Sequence, residues 1–309
     1  MHRREIEIHV EILSQCSLAC AHCSSEALHV GNVDQLSHDC TLIFIRQLAS
    51  RGSLHLFLTG GEPLASPELG EMVRNLAATK GVSRVGLFTS GCLCDKEGRL
   101  KPVSIHMATQ LRENGLSCCY VSLYSHNAHV HDSVSGIPYS FACSVESIAN
   151  FVAAGIQVGA HCPIMKVNHQ SLASTASYCS EIGVEEIRFL RLVRHGRAIQ
   201  NWSEIGLSRE QQRTAIVKAV KDISRVGGIR ATVAGFPELF DCRAFGSRTG
   251  CQAGITLFYI DSCGNVFPCA CKKRDNKAVL GNVSESHLGD KIPLPLGPCR
   301  TMCLQDAIG

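Results

Sequence analysis

Three cysteines fall within eight residues, Cys16-Ser-Leu-Ala-Cys20-Ala-His-Cys23, directly after the first strand-like apolar run of the chain. Three thiolates on one loop can reach a single metal centre, and soft sulfur ligands favour iron–sulfur clusters or zinc. A zinc site wants a fourth nearby ligand, and His22 cannot easily share the metal that its neighbour Cys23 faces. Three ligands to a four-iron cluster leave one iron open, which suits catalysis better than storage. A second group lies far along the chain as Cys251-x12-Gly264-x4-Cys269, followed by Cys299 and Cys303. A ligand, a hairpin with glycine at the bend and a second ligand make a frame for a metal, which Cys299 and Cys303 could close. Four thiolates there could also hold a structural zinc. Cys242, Cys263 and Cys271 are left over, and Cys271 is the first candidate to replace a named ligand.

The elements that must position these residues can be read from periodicity. Six strand candidates, EIEIHVEIL, SLHLFLTG, RVGLFTS, CCYVSLYS, IQVGAHCPI and EEIRFLRLV, alternate with helical stretches near residues 37–51, 66–79, 103–115, 140–154 and 169–182. A further helix is expected over about 209–225, with Ser208 and Gln211 in capping-box positions. Strands alternating with helices predict a parallel sheet, open or closed into a partial barrel, with its active site at the carboxyl ends of the strands. Beyond about residue 229 the pattern changes. LFYIDSCGNVFPCA reads as a hairpin bent around residues 262–265. The expected division is therefore residues 1–228 as the barrel and 229–309 as a small metal-stapled appendage.

Composition bounds the reading. The 309 residues are 45% hydrophobic and 18% charged, enough to bury a sizeable core, and the formal net charge of +3 gives no footprint for nucleic acid. No run of about 18 apolar residues suggests a membrane span, and MHRREIEIH lacks the apolar stretch of a signal peptide. A cytoplasmic location is expected. There the 18 cysteines are better read as metal ligands, catalytic thiols or small buried hydrophobes than as disulfides.

The C-x3-C-x2-C loop, with Leu58-Thr59-Gly60-Gly61-Glu62-Pro63 after the second strand, resembles the radical S-adenosylmethionine (SAM) superfamily. Phe88-Thr89-Ser90-Gly91 after strand three, residues 121–125 on strand four, Asn168 after strand five, and residues 189–193 with Gly196-Arg197-Ala198 after strand six extend the resemblance over roughly residues 5–200. It implies a partial (β/α)6 barrel, a [4Fe–4S] cluster on Cys16, Cys20 and Cys23, and SAM on its open iron. Gly60 and Gly61 would let the backbone approach the methionyl amine, with Pro63 closing the motif. Glu62 would accept the ammonium, and Ser90 would lie beside it. Ser122 and Arg191 would hold the carboxylate or ribose, and His22 and Asn168 would meet the adenosine.

The tail is similar to the SPASM and twitch extensions of such enzymes, Leu280-Gly281-Asn282-Val283 included. A full SPASM extension needs seven or so ordered cysteines, whereas this chain stops six residues after Cys303. One auxiliary [4Fe–4S] cluster on Cys251, Cys269, Cys299 and Cys303, in a twitch-like arrangement, is the expectation.

The implied chemistry is reductive cleavage of SAM to a 5′-deoxyadenosyl radical that takes a hydrogen atom from substrate, fed by a flavodoxin- or ferredoxin-type donor. Cys162, read as facing the active site at the end of strand five, could return a hydrogen atom; core packing is its competing reading. Tyr124, His126 and His131 could touch substrate or line a loop. Residues 121–125 with His131-Asp132 look most like the branch that crosslinks, oxidises or epimerises ribosomally made peptides. Against that reading, the barrel is expected to begin almost at Met1, so that no peptide-recognition domain is expected before it. A small-molecule dehydrogenase or epimerase acting on an aminocyclitol or aminoglycoside is the alternative. A non-catalytic iron–sulfur or zinc protein is the rival of another class, and leaves the Gly60-Gly61-Glu62-Pro63 motif unexplained.

Overall fold

The structure is a computed structural model that describes residues 5–27, 34–236, 252–273 and 275–292. The first half runs β1 (Glu5–Glu11), α1 (His38–Ala49), β2 (Ser53–Thr59), α2 (Leu69–Ala77), β3 (Val82–Thr89), the short hairpin β4 (Cys92–Cys94) and β5 (Leu100–Pro102), α3 (Ile105–Glu113) and β6 (Cys118–Ser122). It continues through α4 (Ala128–Ser135), α5 (Ser140–Ala153), β7 (Gln157–Pro163), α6 (Leu172–Glu181), β8 (Glu186–Leu190), the one-turn helices α7 (Arg197–Gln200) and α8 (Trp202–Ile205), and α9 (Arg209–Val226). After these come β9 (Arg230–Ala234), β10 (Leu257–Ile260), β11 (Asn265–Phe267), β12 (Gly281–Asn282) and α10 (Leu288–Lys291). The six expected strands are β1, β2, β3, β6, β7 and β8. The capping box that starts α9 is present in both directions, Ser208 side chain to Gln211 and back.

One sheet carries all strands but β4 and β5, in the order β12-β11-β10-β1-β2-β3-β6-β7-β8-β9. Neighbours from β10 to β9 pair in parallel, and only β11 and β12 are antiparallel additions. This is the expected α/β parallel sheet. The sheet does not end where the sequence pattern changes: β9 joins β8 at one side, and β10 joins β1 at the other, with His9 opposite Tyr259. Residues beyond 228 therefore extend both margins of the barrel sheet. Strand β9 escapes periodicity because Arg230-Ala-Thr-Val-Ala is short and only half-buried.

Alternation gives the sheet two unlike faces. Ile6, Ile8 and Val10, Leu54, Leu56 and Leu58, and their counterparts on later strands bury against the helices as the main core. The opposite residues carry rings and charges. His9 meets Phe88 at 4.9 Å and Phe88 meets His161 at 4.7 Å. Each pair spans two strands, contact that a concave sheet provides. Below them Glu186 takes Tyr120 Oη at 3.1 Å and Thr232 Oγ1 at 2.6 Å, and pairs with Arg230. Among the described residues no helix is long and apolar enough to cross a membrane.

Candidate active site

The cysteine loop crosses the carboxyl ends of the strands and is gripped from three sides. From α4, the carbonyls of Ser135 and Val134 accept the amides of Ala19 and Ala21, both at 2.9 Å. From the segment after β8, Arg197 gives its amide to Cys23 O at 3.0 Å, its Nε to Cys20 O and its Nη1 to Ala27 O, both at 2.9 Å. Asn201 adds a bond to Ala21 O at 3.0 Å. Gly196 lets this segment come in: at φ 56° it sits where a Cβ would lie 2.4 Å from Cys23 O.

The third grip is the Gly60-Gly61-Glu62-Pro63 segment. Gly61 donates to Leu13 O at 2.8 Å and Glu62 to Gln15 O at 2.6 Å. A Cβ on Gly60 would stand 2.4 Å from Leu13 O, and one on Gly61 1.9 Å from Gln15 O. The glycines thus have a nearer cause than the methionyl amine: only they let β2's exit run against the backbone that leads into Cys16. Pro63 is buried and opens the short 3-10 turn Pro63–Ala65.

Cys20 is buried, with its Sγ 3.3 Å from Tyr124 Oη, while Cys16 is half-buried and accepts the Leu18 amide at 3.4 Å. Burial pushes the Cys20 thiol up to about 11. Burial and then the Glu62 carboxylate push Cys16 further up, and the charge of either other thiol would add to this. A metal that takes these sulfurs must displace their protons. No three His, Cys, Asp or Glu side chains converge on a single-ion position among the described residues. A four-iron cube does not need that, because each thiolate takes a different iron. His22 packs edge-on against Tyr124 at 4.9 Å. Its Nδ1 is buried with no partner, and burial, then Arg197 and His131, push its imidazole down to about 4.

The other expected residues separate by accessibility. His22 on the cysteine loop, Gly60 and Gly61 after β2, Ser90 after β3, Ser122 at the end of β6 and Arg191 after β8 are half-buried at the carboxyl ends of the strands. Glu62 is not open to an ammonium: fully buried, it accepts Thr89 Oγ1 at 2.5 Å, Leu64 N at 3.2 Å, and Ser90 N and Oγ at 2.8 and 2.5 Å. Burial raises its pKa against these four bonds. Its carboxylate ties the glycine segment to the end of β3. Asn168 is likewise corrected from an adenosine contact to a strand-end clamp: 1% exposed, it donates to Tyr124 O at 2.8 Å and Pro163 O at 2.9 Å and accepts Met165 N at 2.8 Å. Cys162 is corrected from hydrogen donor to core residue. It lies on the helix-facing side of β7 in the main core with Cys179, and its neighbour His161 takes the concave face. His131 is buried and stacks on Tyr124 at 4.8 Å, whereas His126 is exposed.

In the hairpin, Cys269 is buried and Cys271 exposed, and a hydrogen bond between the two thiols, with burial, pushes Cys269 up. Cys263 is exposed at the bend. Cys251, Cys299, Cys303 and Cys242 lie outside the described residues.

Sequence reasoning missed a buried charge cluster beside the loop. Glu11, fully buried on β1, accepts Tyr259 Oη at 2.7 Å and Lys273 Nζ at 2.5 Å, while its Oε1 has no partner. Lys273 also reaches Ser25 Oγ at 3.1 Å, and its carbonyl lies 3.2 Å from His195 Nε2. The alternation of β1 places Glu11 on the concave face, but nothing local marks its partners 248 and 262 residues away.

Residues 10–179 match the model of the Radical SAM superfamily, and the chain belongs to that family. Over 89% of its length it is 25% identical to an AdoMet-dependent heme synthase of Oleidesulfovibrio alaskensis, of which it covers 71%. Over 88% it is 27% identical to the mycofactocin maturase MftC of Mycolicibacterium smegmatis, of which it covers 66%. The fold matches SuiB of Streptococcus suis bound to S-adenosylmethionine with a TM-score of 0.73 at 14% identity, over 94% of this chain and 66% of SuiB. The chain thus spans about two thirds of the latter two proteins. Radical SAM enzymes bind a [4Fe–4S] cluster and SAM, and as a member of the family this chain is an enzyme.

Proposed function

We propose that Cys16, Cys20 and Cys23 hold the [4Fe–4S] cluster and that SAM binds at the mouth formed by His22, Gly60, Gly61, Ser90, Ser122 and Arg191. The observation that carries this is the three-sided grip on the cysteine loop, which fixes the backbone between the thiols while leaving Cys16 and Cys23 half-buried. The residues fit such a group. Three thiols within electrostatic reach of one another share one loop, and the unpartnered His22 Nδ1 lies at the same mouth. When bound, the cluster and SAM supply a hydrogen-abstracting radical. The chain's own part is to bind and orient the substrate C–H bond and to exclude water, for which the ringed concave face below is suited.

The substrate we propose is a ribosomally made precursor peptide that is crosslinked, oxidised or epimerised. This is supported by the likeness to a mycofactocin maturase and to SuiB, which has also been solved bound to its precursor peptide SuiA. One auxiliary cluster on Cys251, Cys269, Cys299 and Cys303, with Cys271 beside Cys269, and a flavodoxin- or ferredoxin-type donor complete the proposal. A second reading, a tetrapyrrole substrate, is favoured by the likeness to a heme synthase over 89% of the chain.

The test is iron content and low-temperature EPR of anaerobically reconstituted protein beside a variant with Cys16, Cys20 and Cys23 changed to Ala. We expect about eight irons falling to about four, with SAM perturbing the signal only in the unmutated protein. About four falling to none removes the auxiliary cluster, and no SAM-sensitive signal overturns the cofactor reading. Release of 5′-deoxyadenosine is then expected to rise with a precursor peptide. A rise only with an iron tetrapyrrole would replace the first substrate by the second.

A further inference from the structure

Tyr124 is held by contacts on nearly every side. It is 3% exposed, with the His131 ring stacked on one face at 4.8 Å and His22 edge-on at 4.9 Å. Its amide lies 3.3 Å from His131 Nδ1, and its carbonyl accepts Asn168 Nδ2 at 2.8 Å. The phenol oxygen that this packing fixes stands 3.3 Å from Cys20 Sγ, in a wholly buried contact.

We propose that Tyr124 tunes the reduction potential of the cluster by donating a hydrogen bond to the sulfur of Cys20. The inference rests on the assignment of Cys20 as a ligand, and adds a residue that does not itself bind metal. With a protonated thiol either atom could be the donor. A sulfur that ligates iron has lost its proton, so only the phenol can give one. Tyrosine carries that proton near neutral pH, since its ordinary pKa is about 10.

A donor to a ligand sulfur stabilises the extra negative charge of the reduced cluster more than the oxidised one, and thereby raises the potential. Burial strengthens the effect by removing competing water. The sulfur of Cys16 receives a backbone amide, from Leu18, which no side-chain substitution removes. Tyr124 is therefore a bond to a ligand sulfur that a mutation can delete, because phenylalanine keeps the ring between His131 and His22 and otherwise gives up only the phenol's bond with Ser122. It is a positioning residue acting through Cys20, and its signature is a potential.

The experiment is a redox titration of the anaerobically reconstituted protein without SAM, on the unmutated chain and Tyr124→Phe, read on the low-temperature EPR signal that the variant with Cys16, Cys20 and Cys23 changed to Ala lacks. The expected result is an about tenfold shift of the equilibrium against reduction, a midpoint about 59 mV lower for a one-electron couple. An unchanged midpoint with an intact cluster signal overturns the proposal. If Tyr124→Phe holds no cluster, the same titration on protein carrying 3-fluorotyrosine at all five tyrosines decides. The more acidic phenol is a stronger donor, so the midpoint should rise, and an unmoved midpoint again overturns the role of the bond. Absence from the unmutated protein of any signal that the triple-Ala variant loses would instead refute the ligand assignment on which the proposal stands.

Discussion

Arg197 concentrates more of the site's geometry in one side chain than any cysteine does. Its fork spans Cys20 O and Ala27 O while its own amide reaches Cys23 O. Arg197→Met leaves the backbone carbonyls of Cys20 and Ala27 without their charged donor. It is expected to lower stability by about 3–6 kcal/mol, from two hydrogen bonds to a charged group worth roughly 1.5–3 kcal/mol each, measured as a shift in the urea midpoint. Arg197→Lys is expected to recover only part of it, because an ammonium cannot serve both carbonyls in fixed geometry. A second residue-scale outcome concerns His131, which burial pushes from 6.5 down to about 4. Its folded-state pKa lies below its unfolded one, so the unfolded chain binds the proton first. Stability is unaffected above about pH 6.5 and is lost as pH falls from there towards 4. At about 1.4 kcal/mol for each pH unit, the loss amounts to roughly 3 kcal/mol. His131→Phe should flatten the stability–pH curve by that amount, read from urea midpoints between pH 7 and 4.

Between elements, the most consequential link is the ion pair that joins the hairpin segment after β11 to β1. The side chains of Lys273 and Glu11 are 12% and 1% exposed. Lys273→Met therefore strands a buried carboxylate, and is expected to cost about 3–5 kcal/mol. Lys273→Met with Glu11→Gln should regain most of it. A double-mutant cycle by chemical denaturation checks this, and a double-variant loss equal to the sum of the two single-variant losses would mean that the pair is not coupled. Legibility in the sequence divides along the same line. The six parallel strands, the helices behind them and the capping box of α9 were readable, because their signals are local and periodic. The cysteine spacing was readable for the same reason. The face of β7 was not: His161 and Cys162 are adjacent, either could line the concave side, and a strand pattern alone does not say which. Glu62, Asn168 and Glu11 were found or missed as types, but their partners lie on other strands, where spacing carries no information.

At the scale of the whole molecule, one sheet runs through the change in sequence pattern. β10 covers the outer edge of β1 and β9 that of β8. A chain ending at residue 228 would bare both edges of the parallel sheet, and is expected to aggregate where the full chain runs as a discrete species in size-exclusion chromatography. A monodisperse 1–228 fragment with retained helix and strand content would show that the margins are dispensable.

The grip on the cysteine loop also has an order in time. Its thiols come from residues 16–23, but the groups that hold the loop come from residues 134–135, 196–201 and, through Ser25, Lys273. At about 5–20 residues per second, the interval between synthesis of Cys23 and of Lys273 is roughly 12–50 s. Throughout it the three thiols are on the nascent chain without their complete cage, free to meet oxidants or stray metal. Loading of iron is thus expected on the finished chain. Cells short of chaperones or iron–sulfur carriers should accumulate the protein folded but empty before they accumulate it unfolded.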